Sequence, residues 1–147
     1  MKFSAAAFTL LAATGVTAAP AAESVNMMAA SPQWTMRDAK RYCRPDDSLC
    51  YWKFGIDTGN GKPYECRYNV QGPNASKARA AGPGTCGDFT ITSGWSDQFG
   101  ADNGFTTLSV VSKSKRQIIW PAYTDKQLAG GKIVKPDQSY TPASLPK

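Results

Sequence analysis

Cys50-Tyr51-Trp52-Lys53-Phe54-Gly55-Ile56-Asp57-Thr58-Gly59-Asn60-Gly61-Lys62-Pro63-Tyr64-Glu65-Cys66-Arg67-Tyr68-Asn69-Val70 is the stretch that decides the fold. Cys50, Trp52, Phe54 and Ile56 fall on every second position, and Tyr64, Cys66, Tyr68 and Val70 do so again. A period of two turns one set of side chains to a core and the other to water, which is the pattern of a half-buried strand. Between the two runs, Asp57 to Lys62 is turn chemistry, and Asn60-Gly61 accepts positive φ readily. The reading is a β-hairpin with position 66 opposite position 54.

Working outward, Trp34, Met36 and Asp38 alternate with Thr35 and Arg37, and the extended stretch runs on to Cys43. Arg44-Pro45-Asp46-Asp47-Ser48 is a turn, because Pro presets φ and Asp and Ser bond back to the backbone. Beyond the hairpin, Gln71 to Thr85 is rich in Gly, Pro, Ala, Ser and Lys and reads as a surface loop, with one helical turn between Ala75 and Ala81. Phe89, Ile91 and Ser93 alternate, Ser96 to Gly104 is a loop, and Phe105 to Ser112 is a β-branched strand. A charged turn through Lys113-Ser114-Lys115-Arg116 returns the chain as Gln117-Ile118-Ile119-Trp120, and Pro121 ends it. In the remainder only Lys132-Ile133-Val134 is a candidate strand, and the rest is expected to wrap the surface in extended form. Six or seven short strands punctuated by Gly and Pro predict an all-β fold, a small antiparallel β-barrel or sandwich. Trp52, Phe54, Phe89, Phe105 and Trp120 lie on apolar phases and are read as core.

The first residues set the compartment. Lys2, the apolar run Phe3 to Ala13, and the small residues Val16 and Ala18 have the layout of an export signal cleaved after Ala18. The run is shorter than the ~20 residues a membrane-spanning helix needs. The expected organisation is a signal peptide over 1–18, a flexible Ala-rich leader over 19–32 and one β-rich domain over 33–147, with no transmembrane anchor and a monomeric, extracellular product.

Cys43, Cys50, Cys66 and Cys86 form an even set in an exported chain, which reads as two disulfides with three possible pairings. Cys43 and Cys50 bracket the Arg44 turn, and Cys66 and Cys86 would close the long loop. Because position 66 faces 54, Cys50 and Cys66 are not natural partners, which favours Cys43–Cys50 with Cys66–Cys86. A zinc site is the alternative, but the set has no C-x-x-C and the chain has no histidine, so no metal and no cofactor are expected.

The absence of histidine also removes Ser-His-Asp and Cys-His triads. A paired-carboxylate glycosidase is the remaining enzymatic possibility, and most of the acids sit in turn signals that already account for them. No catalytic residue is assigned. Without Lys2 the chain keeps sixteen Lys and Arg against eleven Asp and Glu. That balance suits anionic surfaces, but the charges are scattered along the sequence and match no nucleic-acid motif. Lys113 to Arg116 is read as a solubilising hairpin tip. Two segments dense in aromatic and polar groups, around Trp95 with Asp97 and around Trp120 with Tyr123, are candidate surface contacts for a sugar ring or a protein partner. Asn74-Ala75-Ser76 is an N-glycosylation acceptor in the exposed loop, with Asn74 as the site.

Taken together, Cys43-x6-Cys50-Tyr-Trp-Lys-Phe-Gly-Ile, Cys66-x-Tyr, Cys86-Gly, Thr92-Ser-Gly-Trp-Ser, Gly104-Phe-Thr-Thr-Leu-Ser-Val-Val, Trp120-Pro-Ala-Tyr-Thr-Asp and Pro136-Asp-Gln-Ser-Tyr140 resemble small secreted proteins of filamentous fungi. Some of these are hypersensitive-response-inducing elicitors of plant pathogens. The resemblance spans about residues 33–147 and transfers no catalytic residue. It implies a non-enzymatic effector or elicitor outside the cell, with a host protein receptor or a cell-wall polymer as partner. A module binding wall carbohydrate or an anionic surface is the alternative, ahead of a histidine-free hydrolase.

Overall fold

The computed structural model describes residues 32–147. The export signal and nearly all of the leader lie outside them. Ten strands form two antiparallel sheets. Sheet I has the order β3-β2-β1-β9, from Tyr64–Gln71, Leu49–Asp57, Trp34–Cys43 and Gln138–Tyr140. Sheet II has the order β10-β7-β6-β5-β4, from Ala143–Ser144, Gln117–Ile119, Phe105–Ser112, Phe89–Ser96 and Ala81–Cys86. β8 (Ala122–Thr124) pairs with the first half of β6, beside β7 on the second half. Pro121 separates the two short partners, and its carbonyl accepts from the Leu108 amide at 2.7 Å. The sheets do not close on each other, so the architecture is a sandwich and not a barrel.

The β2–β3 hairpin has the expected register, with Trp52 opposite Tyr68 and Phe54 opposite Cys66. Its connection is longer than a two-residue Asn-Gly turn. Positive φ falls on Gly59 and Gly61, and the Asp57 carboxylate accepts from both of their amides, at 2.9 and 3.2 Å. β1 departs from strict alternation. Asp38 takes φ 50° in a bulge between Arg37 and Lys40, so Ala39 enters the core where continued alternation would have placed Asp38. A bulge inserts one residue and exchanges the two faces beyond it.

The strand count exceeds the expected six or seven because four short or irregular pieces, β4 and β8 to β10, pair only through tertiary contact. β4 is the clearest case: Ala81-Gly82-Pro83-Gly84-Thr85-Cys86 has poor strand propensity, yet it lines up along β5. Its glycines are there for space. A Cβ on Gly84 would sit 2.6 Å from the Tyr68 ring, and one on Gly82 would sit 2.7 Å from the Ile91 carbonyl oxygen. Lys132-Ile133-Val134 is not a strand; Val134 is buried and its amide bonds to the Ala39 carbonyl at 2.8 Å. A four-residue helix, α1 (Asp125–Leu128), carries a capping box at Thr124 and Gln127.

The core lies between the sheets. Trp34, Met36, Trp52, Phe54 and Ile56 come from sheet I, and Phe89, Ile91, Leu108, Val110 and Ile119 from sheet II. Trp34 meets Phe89 edge-on at 5.9 Å, and the buried Tyr68 and Ser93 hydroxyls bond across the layers at 3.0 Å. The disulfides are Cys43–Cys50, within sheet I, and Cys66–Cys86, which ties the edge of sheet I to the edge of sheet II. Phe105 lies on the outward phase of β6, whose buried positions are Thr106, Leu108, Val110 and Ser112, and it stacks on the exposed Phe99. Trp120 is exposed and is not core. Among the described residues no helix is long and apolar enough to cross a membrane.

Candidate functional site

The four contact candidates separate on burial. Trp95 and Tyr123 are buried, at 7% and 1% exposure, and are not surface contacts. Trp95 continues the inward phase of Phe89, Ile91 and Ser93 on β5, and its indole Nε1 donates to Asp125 at 3.0 Å. Lys77 and Arg79 cover its ring, with cation-to-centroid distances of 5.4 and 5.3 Å. Tyr123 points inward from β8 against Trp52, and burial pushes its phenol well above the ordinary value. Asp97 and Trp120 reach solvent, and Asp97 is paired with Arg79 at 3.1 Å. Asn74 is exposed with φ 55°, beside Ser76, whose hydroxyl and amide both donate to Asp47.

A different surface concentrates unmet chemistry. Opposed residues in antiparallel strands point to the same side. In sheet I the register therefore sets Lys40, Lys53 and Arg67 in one transverse row on the solvent side, across β1, β2 and β3. The next outward row is Tyr42, Tyr51 and Asn69. Tyr42 and Tyr51 are exposed, their rings nearly parallel with centroids 6.4 Å apart, and Arg44 donates to the Tyr51 hydroxyl at 3.2 Å. A cavity of about 630 Å³ opens along the cationic row and continues past Tyr64, Glu65 and Asp38.

Among the described residues, the ion pairs involve none of these three cations. Like charges directly opposite each other destabilise a sheet. Charge at Arg67 is explained by protection of the exposed β3 edge. That explanation does not reach Lys53, because β2 is flanked on both sides by β1 and β3; Lys40 lies past Met36, where the pairing of β1 with β9 ends.

Residues 35–145 match the family described as Effector TSP1. A relative from Hypocrea virens (strain Gv29-8 / FGSC 10586), also described as Effector TSP1, is 51% identical over 139 residues, covering 94% of each chain. The chain belongs to the Effector TSP1 family. It is a family of small fungal effectors, as the sequence resemblance implied.

In this Effector TSP1 member the charges at the other end of sheet I are fully engaged. Arg37 donates to Asp57 at 2.8 Å, and Lys135 bridges Asp38 and Asp137. The Arg37 hydrogen bond, with the amides of Gly59 and Gly61, holds the Asp57 carboxyl below the usual carboxylate range. In sheet II, hydrogen bonds from Ser112 and Ser114 lower Asp88 in the same way. Arg41 is different in kind: it is largely buried above Trp52, near Asp125, and burial pulls its guanidinium down from the ordinary value. Cys43, Asp47 and Cys50 cluster within metal-ligating reach, but both sulfurs are spent in the disulfide and offer no thiolate. What the solvent face of sheet I offers is binding chemistry: fixed cations, exposed rings and a shallow cavity between them.

The row was missed in the sequence because its members lie thirteen and fourteen residues apart. The only available signal was that Lys53 and Arg67 occupy outward phases flanking the hairpin whose register was already read.

Proposed function

We propose that this effector is exported and acts outside the cell without turning over a substrate, through recognition of its folded surface, and that the solvent face of sheet I is the recognising surface. The observation that carries this reading is the row Lys40–Lys53–Arg67, three like charges in register with no carboxylate partner among the described residues. Such a row costs stability in the free protein, and an anionic partner offsets the cost. The Asp38 carboxylate in the same cavity is solvent-exposed and already ion-paired with Lys135, which supports a binding role. The partner is a host receptor or a cell-wall polymer, and the response is plant defence or cell death.

Leaf infiltration tests the reading. Purified mature protein should trigger an oxidative burst or cell death, while a reduced and alkylated sample should not. A Lys53→Gln/Arg67→Gln variant that is folded by circular dichroism should have lost most of the response. A folded face variant as active as the native protein would remove this surface from the mechanism.

A further inference from the structure

We infer that the solvent face of sheet I binds a uronic-acid polysaccharide, with the chain lying across the strands along the Lys40–Lys53–Arg67 row. The inference rests on the surface-recognition reading above and names the ligand class. Neighbouring strands are about 4.8 Å apart, so in-register cations repeat at roughly that interval. A polymer of uronic-acid pyranoses presents one carboxylate per ring at a comparable repeat. Successive carboxylates turn about the polymer axis, and the long Lys40, Lys53 and Arg67 side chains extend to meet those that face the sheet, giving charge-assisted hydrogen bonds stronger than neutral ones.

Two further features select a sugar over other polyanions. Exposed tyrosines flank the row, with Tyr42 and Tyr51 on one side and Tyr64 on the cavity wall. Aromatic faces remove the apolar C–H faces of pyranose rings from water. Asp38 and Glu65 line the same cavity as the three cations. Carboxylates are acceptors only, which suits a ligand rich in hydroxyl donors. A phosphatidylserine bilayer or a DNA backbone brings few hydroxyl donors to those acceptors and no pyranose faces to the tyrosines, so either fits this mixed face less well.

The test is binding of the mature, disulfide-intact protein to polygalacturonate, measured by affinity electrophoresis and calorimetry beside fully methyl-esterified pectin, a neutral β-glucan and vesicles containing phosphatidylserine. Retention by polygalacturonate is expected, and it should be lost on methyl-esterification and weakened by salt. Lys53→Gln/Arg67→Gln should weaken binding by about tenfold or more, equivalent to about 1.4 kcal/mol or more. Tyr51→Ala should weaken it several-fold. Lys113→Gln/Lys115→Gln removes equal charge from the β6–β7 turn, whose lysines do not line the cavity, and should leave binding unchanged. Equal binding to esterified pectin, tighter binding to the vesicles, an equal loss in the Lys113/Lys115 control, or no binding to polygalacturonate would each overturn the inference. The two ideas fail separately. A face needed for the leaf response but blind to polygalacturonate sinks the ligand assignment alone. Polygalacturonate binding by a face that the response does not need sinks the functional reading alone.

Discussion

Outward positions of β5 and β6 carry Thr90, Thr92, Thr107 and Ser109, whereas outward positions of β1, β2 and β3 carry Lys40, Lys53, Arg67, Tyr42 and Tyr51. Both sheets bury the same kind of aromatic and aliphatic core. On sheet II the Thr92 and Ser109 hydroxyls bond to each other across strands, and Val111 and Phe105 share the outward phase. The outward positions of β5 and β6 carry no charge and so leave none unpaired. The face of sheet I is incomplete at one end: its charges pair around Arg37, Asp57 and Lys135, then stop pairing at Lys40. The bulge at Asp38 marks the boundary between the two halves. Solubility alone accounts for Ser and Thr on a sheet face or for paired charges; a row of unpaired cations centred on Lys53 of the interior strand β2 calls for a partner.

The contrast would break first at Trp95. If sheet II has no recognition role there, Trp95→Ala removes core and should cost about 3–5 kcal/mol of unfolding free energy in urea titration. Trp120→Ala, at an exposed position, should stay within about 0.5 kcal/mol of the parent. A Trp95→Ala protein of native stability that had lost the leaf response would move the recognising surface to sheet II.

Asp57 sharpens the comparison within sheet I. Asp57→Ala leaves Arg37 and the Gly59 and Gly61 amides without their shared acceptor and should cost about 1–3 kcal/mol. The Asp57 pKa is depressed by folding, so its contribution is present above the unfolded carboxyl value of about 3.9 and is lost as pH falls through the lower folded value. Equilibrium denaturation from pH 7 down to 2 should show this acid loss in the parent and a shallower one in the variant. Equal slopes would mean that the pairing at this end contributes nothing.

The smallest effects carry opposite signs. Thr92→Val breaks a satisfied cross-strand pair on sheet II and should cost about 0.5–1.5 kcal/mol. Lys53→Gln relieves like-charge crowding on sheet I and should raise stability by a few tenths to about 1 kcal/mol, with the gain shrinking in high salt. If Lys53→Gln destabilises as Thr92→Val does, the cationic row is structural and the contrast between the faces disappears.

Local features of the fold are legible in the string of residues. Alternation on both sides of Asp57 to Lys62 specified the central hairpin and its register, because a one-residue slip would turn Trp52, Phe54 and Tyr68 out to water. The same periodicity marked β5, β-branched composition marked β6, and turn chemistry marked Arg44 to Ser48. Features that depend on partners distant in the chain emerge only when the sheets assemble. β4 and β8 to β10 are too short or too poor in propensity to declare themselves, and they are strands because an edge of a formed sheet pairs with them. The bulge at Asp38 left no periodic signal, since it consists in breaking the period. Trp95 and Tyr123 read as contacts because aromatic groups beside polar ones look alike in a string whether a sheet covers them or not. Lys40, Lys53 and Arg67 are scattered charges in sequence, and they become one row only when two registers, β1 on β2 and β2 on β3, are both set.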